Sequence, residues 1–252
     1  MTFFDSDRPL VFAHRGGMAL GPENTITTFD AGMNAGADGL ELDVHLAADG
    51  VVVVHHDKTL ERTTRGSGPL AARTAAELRA LNVPTLGEVL RRYPDARIII
   101  EMKTDTARLG EAVAREVAAL GAIPRVCGAG FGPRAVGAFR AALPAAASSA
   151  SQEEVRRALH RTWLCWPLRR CAWQGYQVPE LAGRMRVVSR RFVRYAHLAG
   201  LKVQVWTVDT EPDMRRLLDW GVDALISNRP DLAVRVRDAW MSARQAAPAL
   251  QR

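Results

Sequence analysis

No run of about 18 apolar residues occurs in the chain, so a membrane-crossing helix is not expected. Cysteine is scarce: Cys127, Cys165 and Cys171 are too few, and odd in number, for a disulfide framework. Cys165 and Cys171 have no matching second pair for zinc, and all three read as semi-buried thiols in a reducing compartment. The opening MTFFDSDRPL lacks the basic-then-apolar pattern of a secretory signal. These absences point to a cytoplasmic protein, with peripheral membrane contact as the alternative. Residues 156–194 contain no lysine; they hold ten arginines and a single acid, Glu180. That segment carries +9 and the rest of the chain −2, giving +7 overall. Such a face is either a solvated arginine-rich surface or an attractor of phosphates, nucleic acid or anionic membrane.

Hydrophobic residues make up 48% of the 252 and charged residues 24%, which suits a globular protein with a large core. Short β-rich runs alternate with amphipathic helical runs. Strands are predicted at 10–13, 38–45, 51–54, 97–102, 125–128, 186–188, 202–206 and 224–226. Helices are predicted near 25–35, 85–93, 107–120, 133–142, 191–199, 212–220 and 232–240. Asp49-Gly50 favours a hairpin between 38–45 and 51–54. The Ala- and Arg-rich text from 143 to 184 obscures any period. The pattern predicts an α/β fold, a (β/α)8 barrel in one domain over 1–252, with a small insertion after the second strand (57–84) and a frayed tail from 241.

Chemistry-bearing residues gather where these strands end. His14 and Arg15 close the first; Glu41 and Asp43 lie two apart on the second and share a face. His56 and Asp57 follow the third run, and Glu101 and Lys103 close 97–102. Three converging acids repel unless a cation neutralises them, and an all-oxygen ligand set selects Mg2+ or Ca2+. The competing reading is a metal-free salt bridge from Glu101 to Lys103 or Arg15. Two histidines near neutral pKa can exchange protons with a phosphate ester while a guanidinium forks onto its oxygens. His55 alternates away from His56; His45, His160 and His197 read as structural or surface residues. Trp206 either floors a pocket or packs the core.

His-Arg-Gly (14–16), Pro-Glu-Asn-Thr (22–25), Gly-Ala-Asp-Gly-Leu-Glu-Leu-Asp-Val-His-Leu (36–46), Asp-Gly (49–50), His-Asp (56–57) and Arg-Thr-Thr (62–64) together resemble the glycerophosphodiester phosphodiesterase family. Glu-Met-Lys (101–103), Val-Trp-Thr-Val (205–208) and Gly-Val-Asp-Ala-Leu-Ile-Ser-Asn-Arg-Pro (221–230) agree. The resemblance implies a TIM-type barrel that hydrolyses glycerophosphodiesters to glycerol phosphate and an alcohol. It makes His14 and His56 the acid/base pair, and Glu41, Asp43 and Glu101 the holders of one divalent cation, Mg2+ or Ca2+. Arg15 and Lys103 would bind phosphate and Glu23 would line the site. Asp209 and Asn228 stand where the family commonly has Asn and Asp, a swap expected to retune substrate contacts.

Residues 159–173, LHRTWLCWPLRRCAW, hold three of the six tryptophans among arginines. That mixture suits a lipid headgroup boundary, so a lysophospholipid substrate and peripheral contact with an anionic membrane through 156–194 are expected. Rival readings are a lysophospholipase D-type or cyclising phospholipase, and a non-catalytic anion- or nucleic-acid-binding protein. The paired acids count against the last, and no nucleic acid partner is expected.

Overall fold

A computed structural model describes residues 3–166 and 171–246. In chain order the elements are β1 (Leu10–His14), α1 (Ile26–Asn34), β2 (Gly39–Leu46), β3 (Val52–Val54), α2 (Ala75–Arg79), α3 (Leu86–Arg92) and β4 (Arg97–Met102). There follow α4 (Ala107–Ala119), β5 (Val126–Ala129), α5 (Pro133–Ala142), β6 (Ala147–Ser148), α6 (Gln152–Trp163) and β7 (Gly175–Pro179). The chain continues through β8 (Leu181–Ala182), β9 (Met185–Arg186), α7 (Arg190–Leu198), β10 (Lys202–Trp206), α8 (Glu211–Trp220), β11 (Ala224–Ser227) and α9 (Pro230–Ala246). The parallel strands run β6–β5–β4–β2–β1–β11–β10–β7. A parallel bridge between Ser149 and Gly175 then joins the two ends, closing the (β/α)8 barrel.

Side-chain alternation explains both the packing and the placement of charge. On β2, Leu40, Leu42 and Val44 face outward and pack with Leu86, Val89 and Val113 of the surrounding helices. Glu41 and Asp43 must therefore face inward. On β4, Ile98 and Ile100 join the outer layer, while Ile99 packs with Phe12, Cys127 and Ile226 inside the barrel. Phe3 stacks on Phe12 at 5.6 Å. The barrel floor is thus apolar and its rim polar. Among the described residues no helix is long and apolar enough to cross a membrane.

The predicted hairpin forms: β3 pairs antiparallel with β2, and Gly50 turns with φ +81°. Residues 57–84 hold a 3-10 turn (Leu70–Ala72) and α2, organised around Leu60, Leu70, Leu78 and Val83. Thr74 with Glu77 and Thr85 with Glu88 form capping boxes that start α2 and α3.

Two expectations are corrected. Residues 186–188 are not a barrel strand: Arg186 sits in the β8–β9 hairpin, and the barrel position belongs to β7, inside the stretch whose period was obscured. Gln177 on β7 points inward to Gln204 of β10 at 2.8 Å, so the strand lacks the apolar alternation that would have marked it. The helix predicted at 232–240 runs on to Ala246, so 241–246 is not frayed; residues 247–252 lie outside the described residues.

β2 meets β1 and β4 closely at Gly39, where an added Cβ would lie 2.2 Å from the Arg97 carbonyl oxygen. Gly39→Ala is expected to cost about 1–3 kcal/mol, as overpacking does. Urea unfolding checks this; an unchanged midpoint would contradict so tight a contact.

Candidate active site

The register of three neighbouring strands builds the site. His14 on β1 is level with Glu41 on β2, and Asp43 on β2 is level with Glu101 on β4. After β1 the chain turns sharply: Arg15, Gly16 and Gly17 have φ of 50°, 91° and 98°. A Cβ at Gly16 would strike the Phe29 ring at 2.8 Å, so glycine is required there for space as well as for angle. The turn aims the Arg15 amide at Glu41, whose Oε2 it reaches at 3.0 Å.

Oxygens of Glu41, Asp43 and Glu101 lie within 4.8 Å of one another. Lys103 Nζ is 2.8 Å from Glu101 Oε1 and 3.4 Å from Asp43 Oδ1. Arg15 Nε is 3.1 Å from Asp43 Oδ2, and Asn24 Nδ2 donates to that same oxygen at 2.9 Å. The expected Glu101–Lys103 bridge is therefore present, but it does not neutralise the cluster. Among the described residues no lysine or arginine side chain forms an ion pair with Glu41, whose Oε2 lies 3.8 Å from the His14 ring. Burial, then the charges of Asp43 and Glu101, pushes the Glu41 carboxyl well above its ordinary range. Burial and Asp43 raise Glu101 as well. Burial pulls the Lys103 ammonium down, but Glu101 and Asp43 outweigh it and its net shift is upward. Three acids against two side-chain cations leave an excess of negative charge that favours binding of a cation, and the donors are the oxygens that a hard divalent ion takes.

The two histidines are held differently. His14 Nδ1 lies 2.7 Å from Asn228 Oδ1, while Asn228 Nδ2 donates to Asp209 Oδ2 at 2.7 Å. Asp209 also accepts from the Asn228 amide and the Ser227 hydroxyl. A carboxylate only accepts, so Asp209 fixes which way the Asn228 amide faces. The network therefore assigns the proton to Nδ1 of His14 and leaves the Nε2 lone pair toward Glu41. Burial lowers the His14 pKa, partly offset by Asn228. His56 Nδ1 instead meets a carboxylate, Asp57 Oδ1, at 2.6 Å. The other Asp57 oxygen takes Arg62 Nε, and Arg62 holds Asp57 far below the ordinary range. Arg62 also forks onto both Glu23 oxygens at 2.9 and 2.6 Å, and Glu23 Oε1 receives Arg15 Nη1 at 3.1 Å.

His14, Arg15, Glu41, Asp43, His56, Glu101, Lys103 and Trp206 all line one cavity of about 270 Å³. Glu23 does not line it: its oxygens are taken by Arg62 and Arg15, so it braces the site from behind. Asp209 and Asn228 do not line it either; Asn228 contacts the His14 ring, and Asp209 holds Asn228. His55 points away, to the Thr59 carbonyl. His45 is buried and steadies the loop by reaching the His56 carbonyl at 3.0 Å. His197 pairs with Asp223, and His160 lies edge-on to Trp163. Sequence reasoning missed Asn24 and Arg62, although both sit inside motifs it quoted. It also missed the opposite wall, which is apolar: Phe131, Val155, Leu159, Met185 and Val187. Trp206 belongs to that wall, edge-on to Phe131 at 6.0 Å.

A barrel with acids, histidines and cations gathered at the C-terminal mouth of its strands has the form of an enzyme active site suited to cleaving phosphodiesters. The model of the Glycerophosphoryl diester phosphodiesterase family matches residues 14–232, and the chain belongs to that family. The chain is 29% identical to a glycerophosphodiester phosphodiesterase of Bacillus altitudinis, over 90% of this chain and 98% of that one. It is 28% identical to one of Caldanaerobacter subterraneus subsp. tengcongensis, over 90% and 97%. The crystal structure of a glycerophosphodiester phosphodiesterase from Agrobacterium tumefaciens str. C58 superposes with TM-score 0.74 at 25% identity, covering 91% of this chain and 99% of that one.

The raised Glu41 and Glu101 carboxyls make a prediction with a definite sign. Between their ordinary and raised values the ion-free fold holds protons that the unfolded chain has released, so its stability falls as pH rises through that window. A divalent ion removes the penalty. Saturating Mg2+ or Ca2+ is expected to raise the thermal midpoint by about 5–10 °C at pH 8 and less at pH 5. Glu41→Gln should abolish most of the ion's effect while stabilising the chelated protein. Equal midpoints with and without chelator at both pH values would refute the cation site.

Proposed function

We propose that this protein hydrolyses glycerophosphodiesters to glycerol phosphate and an alcohol, with His14 and His56 as the acid/base pair. Glu41, Asp43 and Glu101 hold one divalent cation, Mg2+ or Ca2+. The observation that carries this reading is the meeting of both rings with all three acids in one cavity. When bound, the cation supplies positive charge to a phosphoryl oxygen as the transition state forms. Arg15 and Lys103, held by Asp43 and Glu101, present their remaining N–H groups to the other oxygens. His14, backed by a neutral amide, offers the Nε2 lone pair and takes a proton from the attacking oxygen: water, which gives glycerol phosphate directly, or the substrate's glycerol hydroxyl, which expels the alcohol to give a cyclic phosphate that water opens in a second step. His56, backed by the Asp57 carboxylate, suits the opposite task, holding a proton and passing it to the departing alkoxide. Glu23 and Arg62 keep that pair in place.

A second reading concerns the substrate's size. The apolar wall continues outward to Met185 and Leu181 of the β8–β9 hairpin, both exposed. Beside it Trp163, Leu164 and Trp166 are 49%, 59% and 56% exposed, among the arginines of α6 and α7; Arg169 and Arg170 lie outside the described residues. Apolar cavity and apolar rim together favour a lysophospholipid drawn from the cytoplasmic face of an anionic membrane.

In assays with and without chelator, His14→Ala and His56→Ala are each expected to lower kcat about 10²–10⁴-fold, the usual worth of a general acid or base. Phosphorus NMR should show glycerol phosphate and no cyclic product. Undiminished turnover in both folded variants would refute the roles. For the lipid reading, the protein should sediment with anionic liposomes at low salt, and Trp163→Ala with Trp166→Ala should weaken this. Absence of sedimentation, with no preference for lysophosphatidylcholine over glycerophosphocholine, would reject it.

A further inference from the structure

The cavity is lined by three strongly basic side chains: Arg15, Lys103 and Arg156. Arg15 and Lys103 are paired with Asp43, Glu23 and Glu101. Arg156 is, among the described residues, the only one of the three with no carboxylate partner. Helix phase explains its direction. Gln152, Val155, Arg156 and Leu159 all line the cavity, and their spacing of three, four and seven places them on one face of α6. The next residue, Arg157, points the other way and pairs with Glu153. Of these two adjacent arginines, one therefore faces away with a partner, and the other, itself solvent-exposed, stands at the cavity rim with no carboxylate partner among the described residues.

Its place in the barrel matters too. α6 follows β6, which lies three strands from β2 around the sheet, across the mouth from Glu41 and Asp43. A diester whose phosphorus sits at the acids must extend across the mouth to reach Arg156. Ion pairing leaves a role open there. Arg15 and Lys103 are engaged by Asp43, Glu23 and Glu101, whereas Arg156 has no carboxylate partner among the described residues.

We propose that Arg156 binds a second anionic group, a phosphate or carboxylate, on the arm of the substrate that crosses the mouth. The inference rests on the hydrolase reading and not on the lysolipid one. It makes this a phosphodiesterase that prefers diesters carrying an extra negative charge over those with a neutral or cationic alcohol.

The test compares kcat/KM for bis(glycerophospho)glycerol, per scissile diester, with glycerophosphoglycerol and glycerophosphocholine at saturating Mg2+ or Ca2+. The wild type should favour the doubly charged probe about five-fold, mainly through KM, the scale of a partly exposed ion pair. The preference should shrink as salt screens the pair. Arg156→Gln should bring the ratio to about one, Arg156→Lys should keep most of it, and Arg156→Glu should shift it toward the choline ester. A wild-type ratio of one, or an unchanged ratio in Arg156→Gln, would overturn the assignment. No turnover of any probe would overturn the hydrolase reading, and this inference with it.

Discussion

Mutual repulsion among Glu41, Asp43 and Glu101 is the constraint around which the mouth of the barrel is arranged. Buried acids within 4.8 Å of one another cannot all ionise without compensation. The fold accepts this because strand alternation leaves no choice: Leu40, Leu42 and Val44 must face the helices, so the residues between them face the axis. Lys103, Arg15 and Asn24 supply part of the compensation. Each is placed by backbone geometry, Lys103 by the end of β4 and Arg15 by the left-handed turn after β1.

That compensation spreads into the second rank of residues. Arg15 contacts Glu23 as well as Asp43, Glu23 is clamped by Arg62, and Arg62 reaches Asp57 behind His56. The acid cluster and the His56 ring are therefore ends of one chain of charge-assisted bonds. His14 stands outside that chain, on a separate network through Asn228 and Asp209. Two histidines in one cavity thus have different partners, a carboxylate for one and an amide for the other. Separate environments are what allow like groups to take opposite roles.

Much of this was legible in the sequence. β1 to β4 carry apolar or alternating runs with His, Arg or acid inside or just after them, and β4 and β10 fall at the predicted boundaries. The site residues on β1, β2 and β4 were readable for the same reason: a charged residue inside an apolar alternation has only the barrel mouth to face. Less was legible where interior positions are polar or small. β7 carries Gln177 toward the axis, and β6 is two residues long, so neither shows a period. The bracing role of Glu23 and the orienting role of Asn228 depend on contacts across long sequence separations. A motif can name such residues but cannot say whether they touch substrate or merely hold something that does.

The two halves of the mouth follow from this division. On the β1–β2–β4 side the basic side chains that line the cavity are matched to acids, so their positions are set before a substrate arrives. Such a half can perform chemistry but has little freedom to discriminate, because every diester presents the same phosphoryl group to it. Discrimination must come from the β6–β7 side, where α6 and the β8–β9 hairpin supply apolar contacts and a guanidinium that has no carboxylate partner among the described residues. Apolar surface rewards bulk without regard to charge, and a lone cation rewards charge without regard to bulk. Placed on one helical face, Val155, Leu159 and Arg156 make the wall responsive to both, so substrate choice can change there without disturbing the acids and rings opposite.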